Sequence, residues 1–275
     1  MSKSWTERLW RYVVARFPPR LFVPCAALLV VAAMAGGRSL NPIEAGLSLL
    51  LAITMLLQFR LLDDLADRNH DRVHHPNRVI VQAPTLQPFL GLAVVCAIVS
   101  AALIVRGSGS MTGLLVFLAL NVSLLLWYTL FRRWATSRML AYHVVAAKYP
   151  VFVYLLGTEG RPGWNLLLAM ALVYFCFSAY EVLHDRQLQA EPWAEKTLNL
   201  ELALLLAVAA LMTTVLVEHG SALAVPQALL SVGGLLVLGH AFVRRRLHRE
   251  SVTAAYLVFA VTFILNAVFS LGVRL

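Results

Sequence analysis

Charge is scarce in this chain. Only 13% of its 275 residues are charged, 60% are hydrophobic, and the mean hydropathy is +0.76. An ordinary soluble domain, with about a quarter of its residues charged, is excluded. Lysine is nearly absent, at three residues against 20 arginines. Cysteine is limited to Cys25, Cys96 and Cys176, each in a different apolar segment and without metal-ligand spacing. They read as small core residues. The start of the chain has no cleavable-signal pattern; Met1 to Arg20 is basic and partly amphipathic and reads as a cytoplasmic lead-in. No low-complexity tract or separate soluble domain is visible, so a single domain over 1–275 is expected, with 1–19 as its lead-in.

What the chain has instead is a series of long apolar runs. They are too long and continuous for the alternating strands of a barrel, so the fold class expected is all-α, a polytopic membrane protein. Nine spans are placed at about 20–36, 43–62, 87–105, 112–131, 139–157, 164–183, 198–217, 224–243 and 252–272. With the N-terminus in the cytoplasm, 18 of the 23 basic residues fall on the inner side. Only Arg38, Arg106, Arg161 and Arg274 fall outside, and Lys148 alone lies within a span. The net charge of +9 therefore follows the positive-inside rule and does not mark a nucleic-acid binder. Outer connections such as Gly107-Ser108-Gly109-Ser110 and Gly160-Arg161-Pro162-Gly163 are short turns, while the inner stretches 63–86 and 184–197 are long and acidic.

Four aspartates fall within nine residues at the end of the second span: Asp63, Asp64, Asp67 and Asp71. Asp63, Asp67 and Asp71 are spaced i, i+4, i+8 and share one face if the helix continues. Like charges at that spacing repel, more so beside lipid. A hard divalent cation such as Mg²⁺ relieves the conflict, because it binds through one or two carboxylates together with substrate phosphates. The pattern Asp63-xxx-Asp67-Arg68 recurs as Glu181-xxx-Asp185-Arg186, 118 residues later, at the end of the sixth span. Span parity puts both acidic groups on the inner side, where metals bound to them could clamp a diphosphate. Loss of pyrophosphate leaves an allylic cation, which needs a dry aromatic pocket. Candidates for its walls are Tyr128, Tyr142, Tyr149, Tyr154, Tyr174, Phe175, Phe177 and Tyr180.

Basic residues should complete a diphosphate site, with Arg binding phosphate bidentately. Arg68, Arg72 and Arg78 follow the first acidic group, and Arg132 and Arg133 end the fourth span. A lysine within a span costs roughly 2.5–3.5 kcal/mol on insertion scales, so Lys148 is expected to face a polar interior. Pro150 follows it and is expected to kink the helix. His184 adjoins Asp185; His143 and His240 read as packed or interfacial, and His70, His74 and His75 lack zinc spacing.

These motifs resemble the UbiA superfamily of intramembrane prenyltransferases. The family's Asn-Asp-x-x-Asp-x-x-x-Asp with a Pro-x-Arg-Pro tail is similar to Asp63-Asp64-Leu65-Ala66-Asp67-Arg68-Asn69-His70-Asp71 and Pro76-Asn77-Arg78-Val79. Asp63 replaces the usual Asn and Val79 the second Pro. Its Tyr-x-x-x-Lys resembles Tyr128-Thr129-Leu130-Phe131-Arg132, and its Lys-Thr-Leu resembles Lys196-Thr197-Leu198. Its second acidic motif is similar to Tyr180-Glu181-Val182-Leu183-His184-Asp185-Arg186, but the further aspartates are missing. The resemblance covers the whole chain. A bacterial inner membrane is expected from the excess of arginine over lysine. The resemblance implies nine helices around a central cavity open to the cytoplasm and Mg²⁺-dependent transfer of an isoprenyl group from a prenyl diphosphate to a small hydrophobic acceptor. It implies Asp67, Asp71 and Asp185 as catalytic carboxylates, and Asp63, Asp64, Asp67, Asp71, Glu181 and Asp185 as metal ligands. Arg68, Arg78, Arg132, Lys148 and Tyr128 would hold diphosphate. The alternative is a non-catalytic lipid-binding or transport protein on the same scaffold, which the eroded second motif favours. A phosphatidyl-alcohol transferase is disfavoured, because Arg68 stands where that motif needs Gly.

Overall fold

Apolar runs in lipid leave backbone N–H and C=O groups no partners but each other, which favours helices. The computed structural model describes residues 4–37, 41–108, 111–135, 137–157, 162–243 and 248–274. Among these the chain is helical, with no strand. Eight helices are long and apolar enough to cross a membrane, and the remaining expected span, 224–243, is also a helix. The chain is an integral membrane protein of the expected all-α class. Arg38, Arg161, Arg244, Arg245 and Arg246 of the charge pattern lie outside the described residues, as do Gly109, Ser110 and Gly160 of the turns.

The chain divides into two units. The first comprises Met1–Ala27 and Asn41–Thr129. It contains α1 (Trp5–Arg16), most of α2 (Pro19–Ala33), α3 (Pro42–Ala66), α4 (Arg68–His74), α5 (Val79–Gln82), α6 (Gln87–Ser108) and α7 (Met111–Leu126). Helix α3 starts at a capping box. Asn41 accepts from the Glu44 N–H at 2.9 Å, Glu44 accepts from the Asn41 N–H at 3.4 Å, and Pro42 sits in the first turn. Packed mainly on α6, it also ties to α6 through Ser100 and Thr54 hydroxyls at 3.1 Å. Gln58 donates to Asn121 of α7 at 2.5 Å. Such bonds hold apolar helices together where lipid supplies no hydrophobic drive. Tyr12, Leu61, Ile80, Ala83, Phe89 and Ala93 form a buried cluster. It joins α1 and α5 to α3 and α6. Burying Ile80 there contributes about 1.5–3 kcal/mol.

The second unit comprises Leu28–Leu40 and Leu130–Leu275. It contains the end of α2, a 3₁₀ turn at Met34–Gly36, and another at Arg132–Trp134. Then come α8 (Arg138–Ala146), α9 (Lys148–Gly157), α10 (Trp164–His184), α11 (Arg186–Gln189), α12 (Ala194–Glu218), α13 (Ala224–Val243) and α14 (His248–Gly272). Helix α10 is central and packs against α9, α12 and α14. The expected span 139–157 is broken at Ala147, between α8 and α9. Pro150 explains the place: its ring collides with the carbonyl four residues back, at Ala146. At the far end of α9, a Cβ on Gly157 would lie 2.6 Å from the Ala33 carbonyl oxygen, so only glycine allows this approach. The Arg274 guanidinium donates to the Met34 carbonyl at 3.2 and 3.3 Å, and Ser270 donates to Val31 at 2.9 Å, closing α14 onto the same segment.

Candidate active site

Helix α3 runs four residues beyond the expected end and carries Asp63 and Asp64 within it. The chain turns at Asp67, yet the helical hydrogen-bond register survives the turn. The Asp67 N–H donates to Asp63 at 2.9 Å, Asp71 to Asp67 at 2.8 Å and His75 to Asp71 at 2.7 Å. Asp63, Asp67 and Asp71 therefore keep the one-face spacing across α3 and α4. Tyr128 donates its phenol O–H to Asp63. It sits in a π-helical turn, Trp127–Phe131, that follows α7. Asp71 is buried and ion-paired with Arg78, the residue preceding α5.

Asp64, expected as a metal ligand, is engaged by α1 in this structure. It is 2% exposed, and both of its oxygens are taken. Arg16 of α1 binds it bidentately, Nε to Oδ2 at 2.9 Å and Nη2 to Oδ1 at 2.7 Å. Tyr12 donates to Oδ2 at 2.8 Å, and Arg60 lies 3.4 Å from Oδ1. Burial first, then the Asp64 charge, raises the Tyr12 phenol above its ordinary range, so it stays a donor. One residue is about 100° of helix rotation. That turn directs Asp64 at α1 and away from the Asp63 face. Arg68, expected to hold diphosphate, bonds to backbone carbonyls in this structure. Its Nε donates to the Ile80 carbonyl at 3.2 Å and its Nη2 to Ala83 at 3.0 Å, where it closes the end of α5.

In the second unit, Glu181 lies in the last turn of α10. The Asp185 N–H donates to the Glu181 carbonyl at 2.7 Å. The Asp185 carboxylate caps α11, accepting from the Gln187 N–H at 2.7 Å. Lys148 opens α9 and is 4% exposed, with its Nζ 5.6 Å from the Tyr149 ring centre. Arg132 is half-buried in the 3₁₀ turn. Tyr149 stacks on Phe177, with centroids 3.8 Å apart and planes 8° off parallel. Phe177 meets Phe259 edge-on, and Tyr180 meets both Phe259 and Tyr256. Of the expected aromatics, Tyr149, Phe177 and Tyr180 thus come together, with two α14 rings that the sequence did not single out. Tyr142 donates to the Phe177 carbonyl at 2.8 Å and is part of the frame.

Sequence reasoning missed two features. Tyr12 and Arg16 hold Asp64 from 52 and 48 residues away, which no local pattern reveals. Glu201 of α12 pairs with His143 of α8 at 2.6 Å. An ionisable residue inside an apolar span was the available signal.

No protein-family model matches the sequence, and no curated protein does. Solved structures do. A digeranylgeranylglyceryl phosphate synthase superposes with a TM-score of 0.69 over 98% of this chain and 99% of the other, at 10% identity. A UbiA homolog from Aeropyrum pernix K1 superposes with a TM-score of 0.65 over 92% and 96%, at 15% identity. The chain has the UbiA fold. At these identities the likeness establishes the fold alone, so roles within it rest on this chain's own side chains.

Among the described residues, no three His, Cys, Asp or Glu side chains gather closely enough to hold a metal ion unaided. The carboxylates on the Asp63 face do suit Mg²⁺ that arrives with phosphate oxygens, which needs only one or two protein ligands.

Proposed function

We propose that this chain transfers an isoprenyl group from a prenyl diphosphate to a small hydrophobic acceptor, and that 1–275 acts as one functional domain. The observation that carries the reading is the unbroken register of Asp63, Asp67 and Asp71 at the end of a span in a UbiA fold. These carboxylates, one or two to each ion, are assigned to Mg²⁺ brought in by the diphosphate. Bound Mg²⁺ would supply Lewis-acid withdrawal of charge from the leaving pyrophosphate. The chain's residues do the rest. Tyr128 fixes the rotamer of Asp63, and Arg78 orients Asp71 while offering its remaining N–H donors to phosphate. In the second unit, Glu181 and Asp185 are assigned to a second cation, and Arg132 and Lys148 to diphosphate. The stacked rings from Tyr149 to Tyr180 are suited to an allylic cation. The inner-side orientation rests on the distribution of basic residues, and a bacterial inner membrane as the location on the excess of arginine over lysine.

Purified protein should release pyrophosphate from a prenyl diphosphate, with Mg²⁺ and an acceptor panel, and Asp67→Ala should abolish release. A second reading is a non-catalytic lipid-binding protein. It is favoured by the use of the Asp185 carboxylate as a helix cap and the lack of aspartates beyond it. Mg²⁺-dependent prenyl diphosphate binding without turnover across the panel would select that reading.

A further inference from the structure

His143 and Glu201 form a buried pair that the assignments above do not use. Glu201 is 4% exposed within α12, and its Oε1 lies 2.6 Å from His143 Nε2. His143 Nδ1 lies 2.7 Å from the Met139 carbonyl oxygen. A carbonyl only accepts, so Nδ1 carries a proton. One further proton is then shared between Nε2 and Oε1. The other carboxylate oxygen, Oε2, is buried and has no hydrogen-bond partner among the described residues. Asp64 shows how this chain satisfies a structural carboxylate, with donors on both oxygens. Glu201 is left half-satisfied at a place where a lone buried acceptor costs about 1–3 kcal/mol. The pair is not sealed, since the His143 side chain remains 22% exposed. Rings surround it: Tyr142 and Tyr174 lie edge-on to the imidazole, at 5.9 and 6.5 Å.

We propose that Glu201 Oε2 receives the O–H of a hydroxyl-bearing acceptor, with the Tyr142 and Tyr174 rings as its flanks. This deepens the transfer reading by naming the chemical class of the second substrate, and it rests on that reading. Glu201 and His143 bind and orient the hydroxyl, with Oε2 as its acceptor.

The test uses the full chain in phosphatidylcholine nanodiscs at neutral pH, with 4-ethylphenol, which stays protonated, and its methyl ether 4-ethylanisole as probes. The two share a ring and differ in the O–H. The expected result is a preference for the phenol of at least about tenfold, as a hydrogen bond to a charged group supplies, lost in Glu201→Gln. Equal affinity for the two probes, or a preference kept in that variant, would overturn the proposal and leave a structural ion pair. Should Glu201→Gln fail to fold, the ¹⁵N shift of the His143 ring in the unmodified protein decides. It should move with the phenol and not with the ether, and no movement overturns the proposal. A shift produced by phosphatidylglycerol discs alone would assign the position to a headgroup hydroxyl and overturn it equally. Mg²⁺-dependent prenyl diphosphate binding is expected to be unchanged in Glu201→Gln. Its absence from the unmodified protein would count against the transfer reading while leaving the probe comparison intact.

Discussion

Asp64→Asn separates a brace from a metal ligand. The substitution keeps the shape of the side chain and removes its charge, so Arg16 loses its bidentate partner while staying three-quarters buried, and Arg60 loses a neighbour at 3.4 Å. Removing one member of a buried pair costs about 3–5 kcal/mol. The partial exposure of both arginines and the surviving amide oxygen put the expectation at the lower end, about 3 kcal/mol. For a chain of this size each kcal/mol moves the melting temperature by about 2–4 °C, so a fall of about 6–12 °C is expected. The assay is thermal unfolding in detergent, with Mg²⁺-dependent prenyl diphosphate binding measured on the folded fraction at low temperature. Binding should survive, because Asp64 directs its oxygens at α1. Arg16→Met should give a similar melting shift, and the double variant should cost less than the sum of the two. An unchanged melting temperature in Asp64→Asn together with a raised Mg²⁺ requirement would refute the reasoning and restore Asp64 to the metal.

Tyr12 stays protonated past the ordinary tyrosine value of 10.0, because burial and the Asp64 charge raise its pKa. A raised folded value contributes stability fully present below pH 10 and lost as pH rises beyond it, so alkaline melting should be steeper in the unmodified protein than in Tyr12→Phe. Gly157→Ala puts a Cβ 2.6 Å from the Ala33 carbonyl oxygen, a clash with backbone that cannot rotate away. It should lower stability by about 1–3 kcal/mol, read as a lower melting temperature, while Gly91→Ala, in open space within α6, should not.

The spans were legible because hydropathy and length suffice to define them, and Pro150 fixed the α8–α9 break to within a few residues. The spacing of Asp63, Asp67 and Asp71 was legible for the same reason, since helical periodicity is local. Asp64 was not. In the sequence it is one of four equal carboxylates, and only the rotation of α3 and the docking of α1 separate it from its neighbours. Arg68 reads as a phosphate hand until α5 folds back and offers it two carbonyls. Tyr256 and Phe259 of α14 join the Tyr180 rings from about 75 residues away, a tertiary pairing beyond the reach of periodicity. Glu201 was visible as an acid in an apolar run; its partner His143, 58 residues earlier, was not.

Carboxylates held on one helix face at the end of a span, to meet a phosphate-borne cation, are the centre of this account. Pyrophosphate release from a prenyl diphosphate by the purified protein, compared with Asp67→Ala at matched folding, tests it most directly. The account predicts release that depends on Mg²⁺ and vanishes in the variant. Full turnover by Asp67→Ala would contradict it.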